Sequence, residues 1–474
     1  MNLTKDKLAA DPGSFRDPKG RVYESWGHII RGVDEATAAD FEKLSHEKFF
    51  IRGIEKGKIV PTKQIVSDEL VGNDFSGTEP WATFLEHEKI PFISYPYEWS
   101  FSMLRDAALL QLEIIEDALN AGWTLKDATP YNIQWHGARP VFIDIPSFQP
   151  RLTGEQWVGY RQFCMLFLTP LMIKAYLDIS HTDLLRANLD GLAPPEAARY
   201  FRGLSRLRRG VLSHVFFPAI VERSIAKRER DAAPAQSRNR VVQSDSMVLG
   251  LVQQMYRLVS SIKRPIGHTD WSKYESTHSY EDMEFKEKES FVRRHAGARH
   301  RTMVWDIGCN TGHFSKICAE FAEHVIAIDG DHDAIEQLYL REKSHENSNI
   351  LPLNMNLGNL SPAQGWGGVE RKAFDKRSQP ELVVCLALIH HIRFSANIPC
   401  SLFLDWLVSL QSEIIIEFVD RSDDMVIKLL TNKKEQYEDY SLKIFEGQVR
   451  ERFEVIDSQD LKGGKRRIYM LRPK

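Results

Sequence analysis

The residues with the clearest capacity for chemistry lie in one segment, VWDIGCNTGHFSKICAEFAEHVIAIDGD. An apolar, β-rich run delivers Asp306, then Gly308, Asn310 and Gly312, and the chain passes directly into an amphipathic stretch that starts near His313. Glycines at such a turn let backbone approach a ligand closely, and the start of the following helix offers N–H groups without internal partners. A second apolar run ends in Asp329, 21 residues after Gly308. A carboxylate at that place can accept hydrogen bonds from both hydroxyls of a ribose. The order strand, glycine turn, helix, strand, acid is what gives the pattern its specificity.

These residues need a parallel sheet to hold them. From about Trp271 onward, short β-rich runs alternate with helical stretches, the pattern of a doubly wound α/β sheet. Strands are predicted over Thr302 to Ile307, His324 to Asp329, Ile350 to Met355, Glu381 to Ala387, Glu413 to Val419, Phe453 to Gln459 and Arg467 to Leu471. Gly463 and Gly464 lie between the last two, which predicts a closing antiparallel hairpin.

On these residues the segment resembles the class I S-adenosylmethionine-dependent methyltransferases, whose first motif runs acidic-x-Gly-x-Gly-x-Gly. Asp306, Gly308 and Gly312 match it, and Asn310 stands where the middle glycine would be; Asn also tolerates left-handed backbone. The resemblance implies a seven-stranded sheet, S-adenosylmethionine as cofactor, a turn that cradles it and Asp329 on its ribose. It further implies cofactor contacts from Asn356, after the third strand, and from Leu386, at the end of the fourth. Trp271 and Tyr274, in TDWSKYESTHSY, would fold over the methionine end, with Lys286 and Lys288 behind them; a packed helix face is the other reading. His390 and His391, in LALIHHI, fall where this fold faces the methyl group and the acceptor. An imidazole titrates near neutral pH and suits a general base, although a helix cap and a core histidine would leave the same trace. The (Asn/Asp)-Pro-Pro-aromatic signature of amino-methylating nucleic-acid enzymes is absent, which favours an oxygen or carbon acceptor over a base nitrogen; a hydroxyl on a small or saccharide-like molecule is the leading reading. Glu417 and Asp420 lie where a further active-site loop would begin.

The N-terminal half carries a second pattern. A helix predicted from about Ser102 to Ala121 is followed by LKDATPYNIQWHGARPVFIDIPSF, in which Asp127, Asn132 and Asp144 keep the spacing of a catalytic loop and a metal-binding aspartate. This resembles kinase-like phosphotransferases and implies an α+β kinase-like domain. The match is incomplete: Leu125 replaces the usual loop histidine, Ile145-Pro146 follows the last aspartate in place of Phe-Gly, and no glycine-rich nucleotide loop precedes it. Lys58 and Lys63 are the candidate phosphate anchors. A substrate-binding or regulatory lobe is therefore expected rather than an active kinase. The rings of Phe92, Tyr95, Tyr97, Trp99 and Phe101 suit either a hinge or ordinary core, and QWVGYRQFCMLFLTPLMIKAYL predicts a buried helix pair broken at Pro170.

Composition sets the outer limits. The chain has 474 residues, 43% hydrophobic and 27% charged, with a net charge of −3. That is globular material for two or three domains and too balanced for a general polyanion binder, so no nucleic-acid partner is expected. Five scattered cysteines without a CxxC pair argue against structural zinc and a disulfide framework, no metal is predicted, and the reduced cytoplasm is the expected compartment. No stretch is apolar enough to insert into a membrane, and the oligomeric state stays open. The charged, Ala- and Pro-containing run from 221 to 244 sets the predicted boundaries: 1–220 kinase-like, 221–270 linker and bridging helix (Ser246 to Ile262), 271–474 methyltransferase. Across SFRDPKGRVYESWG, SYPYEWSFSML, LKDATPYNIQ, DIGCNTGHFS and LALIHHI the whole chain resembles a bacterial methyltransferase-like family with a NoeA-type, host-specific nodulation branch. The resemblance implies methylation of a small or saccharide-like acceptor. A non-catalytic regulatory protein and a bifunctional kinase and methyltransferase are the alternatives.

Overall fold

A computed structural model describes residues 9–25, 27–65, 80–231, 243–264, 279–431, 433 and 437–474. The chain forms two compact units, one of residues 1–135, 140–265 and 364–371, the other of 136–139, 266–363 and 372–474.

The second unit is a seven-stranded sheet: β1 (Arg301–Ile307), β2 (Ala322–Asp329), β3 (Ile350–Asn354), β4 (Leu382–Cys385), β5 (Glu413–Val419), β6 (Phe453–Asp460) and β7 (Arg466–Pro473). Its order is β3-β2-β1-β4-β5-β7-β6; β1 to β5 are parallel, and β7 runs antiparallel between β5 and β6. The predicted strands fall within a few residues of these. The hairpin closes through Gly464, whose φ of 67° requires glycine. Both faces are covered, as unbroken apolar strands demand. On one face, Val304, Val325, Val384, Ile415 and Ile468 share a core with Phe291 and Val292 of helix α1 (Ser279–Ala296), Ile317 of α2 (His313–Ala319) and Leu338 of α3 (His332–Lys343). On the other, Trp305 meets Phe374 with ring centroids 4.5 Å apart, and Phe418 stacks on Phe445 of the helix Leu442–Arg452 at 5.0 Å.

Strand order reverses between β1 and β4. In open parallel sheets this switch point leaves a crevice beyond the carboxyl ends of the strands. The glycine turn after β1 and the Ala387–His391 segment after β4 both lie there.

The first unit opens with an antiparallel sheet of Ala9–Ala10, Gly20–Ser25, His28–Val33, Thr83–His87 and Thr62–Ile65, in that spatial order, and two helices, Glu35–Ser45 and Lys48–Glu55, follow the third strand. Asp34 caps the first of these, its Oδ1 accepting from Thr37 N at 2.8 Å. The buried helix Phe101–Asn120 leads to the Asp127–Asp144 segment. Phe92, Tyr95, Tyr97, Trp99 and Phe101 are all buried, and the unit's core is the reading that holds for them.

Two expectations are corrected. The helix at Asp245–Ser261 does not bridge: it packs on Phe101–Asn120 within the first unit, Tyr256 Oη donating to Glu113 at 3.0 Å, and the unit extends to residue 265 rather than 220. Its Val248, Val252, Met255 and Val259 form one buried stripe, so packing keeps it there. Pro170 breaks nothing either. Helical backbone runs from Tyr160 to Leu177, with a π-turn at Cys164–Leu168 just before the proline. That wider turn accommodates the missing N–H and the ring of Pro170.

The turn after β1 rests on α3. Gly312 has φ 79°, and a Cβ there would lie 2.5 Å from Leu338 Cδ1. Gly312→Ala is expected to cost about 2 kcal/mol or more, from left-handed strain plus the clash. Gly330→Ala, whose nearest heavy atom would be 3.6 Å away, should stay within about 0.5 kcal/mol. Urea unfolding of the two variants checks the contrast.

Candidate functional site

β1 brings Asp306 to its carboxyl end fully buried, where Ser315 Oγ donates to Oδ2 at 2.5 Å. Burial, with a smaller push from the Asp329 charge, raises the Asp306 carboxyl to about 7. The turn then takes three left-handed residues: Gly308 at φ 78°, Asn310 at 50° and Gly312 at 79°. The asparagine thus does the conformational task of the missing glycine. Gly308 N and Cys309 N both donate to Ile328 O, at 2.8 and 3.1 Å, which ties the turn to β2. The guanidinium of Arg341 holds Thr311 O from the side of α3.

Asp329, at the end of β2, sits against this turn. Its Oδ2 accepts from Asn310 N and its Oδ1 from Asp331 N, each at 2.8 Å. Burial raises its carboxyl, and the backbone amides of Asp331, Asn310 and Gly330 offset part of that. Each oxygen keeps a lone pair after one amide contact. Beside it, Oδ1 of Asn310 is buried and has no hydrogen-bond partner among the described residues. An orphaned acceptor and a two-oxygen acceptor along a glycine turn fit a ligand carrying both an ammonium group and a vicinal diol. The residues present therefore suit the amino-acid and ribose parts of S-adenosylmethionine.

The other implied contacts vary. Asn356 follows β3 and lies close to Gly330, but its Oδ1 accepts from Gly358 N at 2.9 Å, which caps its own turn. Leu386 lies in the sheet core. Leu388 is the residue that reaches the turn: its Cδ1 would be 3.1 Å from a Cβ on Gly308. Apolar pattern alone could not separate those two leucines. Trp271 and Tyr274 lie outside the described residues.

Past β4, Ala387 holds φ 48°, a left-handed conformation costly for alanine, and its N–H donates to Glu417 Oε2 at 2.8 Å. Glu417 is fully buried, with Oε1 2.7 Å from Lys288 Nζ and 3.3 Å from Arg466 Nη1. Burial pushes its carboxyl up, but Lys288 and Arg466 outweigh that and leave it below the usual range. Glu417 is thus no loop carboxylate: it fixes the post-β4 segment. Lys288 is consumed in the same contact. Neither role has a sequence signal beyond an isolated charge in an apolar run.

His390 is buried, and its Nδ1 has no hydrogen-bond partner among the described residues. Burial lowers it to about 3, with the charges of His391 and Arg466 acting in the same sense. It is neutral at physiological pH and does not titrate near neutrality as expected from sequence; a base that weak holds a proton poorly. His391, its ring 4.3 Å from that of His390, is also lowered by burial but is less enclosed.

In the first unit, Asp127, Asn132 and Asp144 come together. Asn132 Nδ2 donates to Asp144 Oδ2 at 3.3 Å, and Arg31 Nη1 pairs with Asp144 Oδ1 at 2.6 Å. Burial raises Asp127, and the charge of Asp144 adds to it. Sequence reading missed Arg31, since a lone arginine in the central strand of the antiparallel sheet carries no motif. Lys58 and Lys63 pair with Glu113 at 2.7 Å and Glu86 at 2.9 Å. Among the described residues no cluster of His, Cys, Asp and Glu could hold a metal ion, and no helix is long and apolar enough to cross a membrane.

No protein-family model matches the chain. Over 468 residues it is 31% identical to the nodulation protein NoeA of Rhizobium meliloti (strain 1021), covering 96% of this chain and 94% of that protein. Among solved structures, the N-methyltransferase NodS from Bradyrhizobium japonicum WM9, in complex with S-adenosyl-L-homocysteine, is similar at a TM-score of 0.29 and 13% identity, over 43% of this chain and 93% of that one. The magnesium protoporphyrin IX methyltransferase ChlM of Synechocystis PCC 6803 is similar at 0.31 and 12% identity, over 42% and 89%.

The buried Asp306 yields a pH test. Its folded pKa of about 7 exceeds the unfolded value, so the folded state binds the extra proton and this residue's contribution to stability falls as pH rises from about 4 to 7. Asp306→Asn removes that cost. Relative to the parent, the variant should gain about 2–3 kcal/mol between pH 5 and pH 8, measured by urea unfolding at both. A pH-independent difference would mean that the carboxyl is ionised throughout.

Proposed function

The chain belongs to the family of the nodulation protein NoeA, and from that premise we propose that its second unit is an S-adenosylmethionine-dependent methyltransferase acting on a hydroxyl of a small or saccharide-like acceptor. The observation that carries this reading is the juxtaposition of the Gly308–Gly312 turn and the Asp329 carboxylate at the switch point of a sheet ordered β3-β2-β1-β4-β5-β7-β6. Asp329 would hold the ribose hydroxyls, Asn310 Oδ1 and Asp306 the ammonium end, and Asn356 would flank the adenine. When bound, the cofactor supplies a methyl group on a positively charged sulfonium, already activated for in-line displacement. What this chain adds is position. The Glu417 contact to Ala387 N fixes the loop bearing Leu388, His390 and His391, so that an acceptor oxygen is met by a rigid wall. His390 Nδ1 supplies a neutral acceptor for the hydroxyl hydrogen, and His391 is the better placed of the two to pass a proton outward. The whole chain would serve the same process as its nodulation relative.

For the first unit we propose a kinase-like lobe that binds substrate or regulates rather than transferring phosphate. Two helices after the third of five antiparallel strands, then Asp127, Asn132 and Asp144, support the likeness. The Arg31–Asp144 pair supports the loss of activity, because it occupies the carboxylate that a metal would need. Thermal unfolding should therefore be unmoved by ATP with magnesium; a stabilisation that Asp144→Ala abolishes would instead favour a bifunctional enzyme.

Calorimetry with S-adenosylmethionine and S-adenosylhomocysteine tests the main reading. Binding near micromolar, about −8 kcal/mol, is expected, with a loss of at least about tenfold in Asp329→Ala. Well-folded protein that binds neither would move the assignment to a non-catalytic relative.

A further inference from the structure

In the first unit, the helix Phe217–Asp231 turns a row of large apolar side chains to solvent. Phe217, Ile220, Val221 and Ile225 follow helical spacing and are 64, 56, 55 and 38% exposed. The other side of the helix is the packed one: Ala219 is buried, as are His214 and Val215 in the turn before it. The segment Gly203–Leu207 adds Leu204 and Leu207, 84 and 71% exposed. Arg206 joins the two pieces, its guanidinium 5.3 Å from the Phe216 ring. So many large apolar side chains on one surface are not the scattered exposure of an ordinary monomer.

The charge around them is one-sided. From Ala197 to Val221 the chain has five arginines and no Asp or Glu. Arg202, Arg206, Arg208 and Arg209 are exposed, and among the described residues no carboxylate pairs with them; Arg208 lies over Tyr176, and Tyr176 Oη donates to the Arg209 carbonyl. The nearest acid that follows, Glu222, is taken by Arg161 at 2.8 Å.

We propose that this face docks on an anionic phospholipid surface, with Leu204, Leu207, Phe217 and Ile220 entering the acyl boundary and the arginines meeting the headgroup phosphates. Apolar wedges ringed by arginine fit that interface from both sides, hydrophobic burial below and phosphate pairing at the rim. A nucleic acid would use the arginines but leave the aliphatic side chains exposed. A symmetric contact with a second copy would set like charges against each other. This attachment is peripheral and independent of the methyltransferase reading.

Vesicle flotation with the full chain tests it. Phosphatidylcholine vesicles with about 30 mol% phosphatidylglycerol should carry the protein at least about tenfold better than phosphatidylcholine alone, and salt should weaken the binding. Arg208→Gln with Arg209→Gln should lower it about tenfold or more. Leu207→Ser with Ile220→Ser should lower it likewise, with the circular dichroism spectrum and thermal midpoint unchanged, because these side chains touch solvent. No flotation by folded protein, or flotation that neither pair of substitutions weakens, overturns the proposal. So does a dimer, seen by sedimentation velocity, that the leucine and isoleucine changes dissociate, or equal competition by a DNA duplex.

Discussion

Two carboxylates stand at the ends of adjacent parallel strands, and most of the second unit's local geometry follows from how Asp306 and Asp329 are kept apart in charge. Both are shielded from water, so both are pushed toward the protonated form. Their partners differ. Asp306 has the hydroxyl and the backbone amide of Ser315, whereas Asp329 has the backbone amides of the turn and of the chain just beyond it. Amides are fixed donors that favour the charged form and offset part of the burial at Asp329, whereas the Asp306 carboxyl is raised to about 7. The left-handed conformations of Gly308, Asn310 and Gly312 are what aim those amides. The strain of the turn is thus tied to the electrostatics, because an extended turn would point the Asn310 N–H away from Asp329.

On the other side of the switch point, the same result comes from ion pairing. Glu417 lies too deep for water, yet Lys288 and Arg466 keep it charged. Buried ion pairs seldom add much stability over apolar packing of the same shape, so their use here is better understood as specification. The pair joins three elements: α1 through Lys288, β5 through Glu417 and β7 through Arg466. Arg466 can reach only because β7 enters the sheet antiparallel, which puts its first residues at the end where β5 finishes. Glu417 then spends its second oxygen on Ala387 N, the left-handed residue that begins the His390 segment. An inserted strand of reversed direction therefore anchors the loop that carries His390 and His391.

Sequence legibility divides along the range of the interactions. The seven strands were readable to within a few residues because each is a short apolar run bounded by turn residues, and the Asp306–Asp329 motif was readable because its parts lie close along the chain. Long-range pairing was not. Nothing adjacent to Glu417 predicts Lys288 or Arg466, and nothing near Asp144 predicts Arg31, which lies more than a hundred residues away. Local rules also failed where tertiary structure overrode them: Pro170 sits in a continuous helix because a π-turn precedes it, and the helix at Asp245–Ser261 is held by a partner surface in the first unit. His390 misleads for a similar reason. Its type suggests a base near neutrality, and only its burial shows an imidazole held neutral.

That neutrality is consistent with the chemistry rather than opposed to it. In the proposed methyl transfer from a sulfonium no strong base need act before attack, and a hydroxyl acceptor would lose its hydrogen as the new bond forms. A charged imidazolium beside the crevice would repel a cationic cofactor, and a titrating one would make that repulsion depend on pH. Burial prevents both, with the charges of His391, Arg466 and Lys288 acting in the same sense and against the opposing pull of Glu417. The buried carboxylate therefore holds the loop in place while its charge opposes, without overcoming, the burial that keeps His390 uncharged.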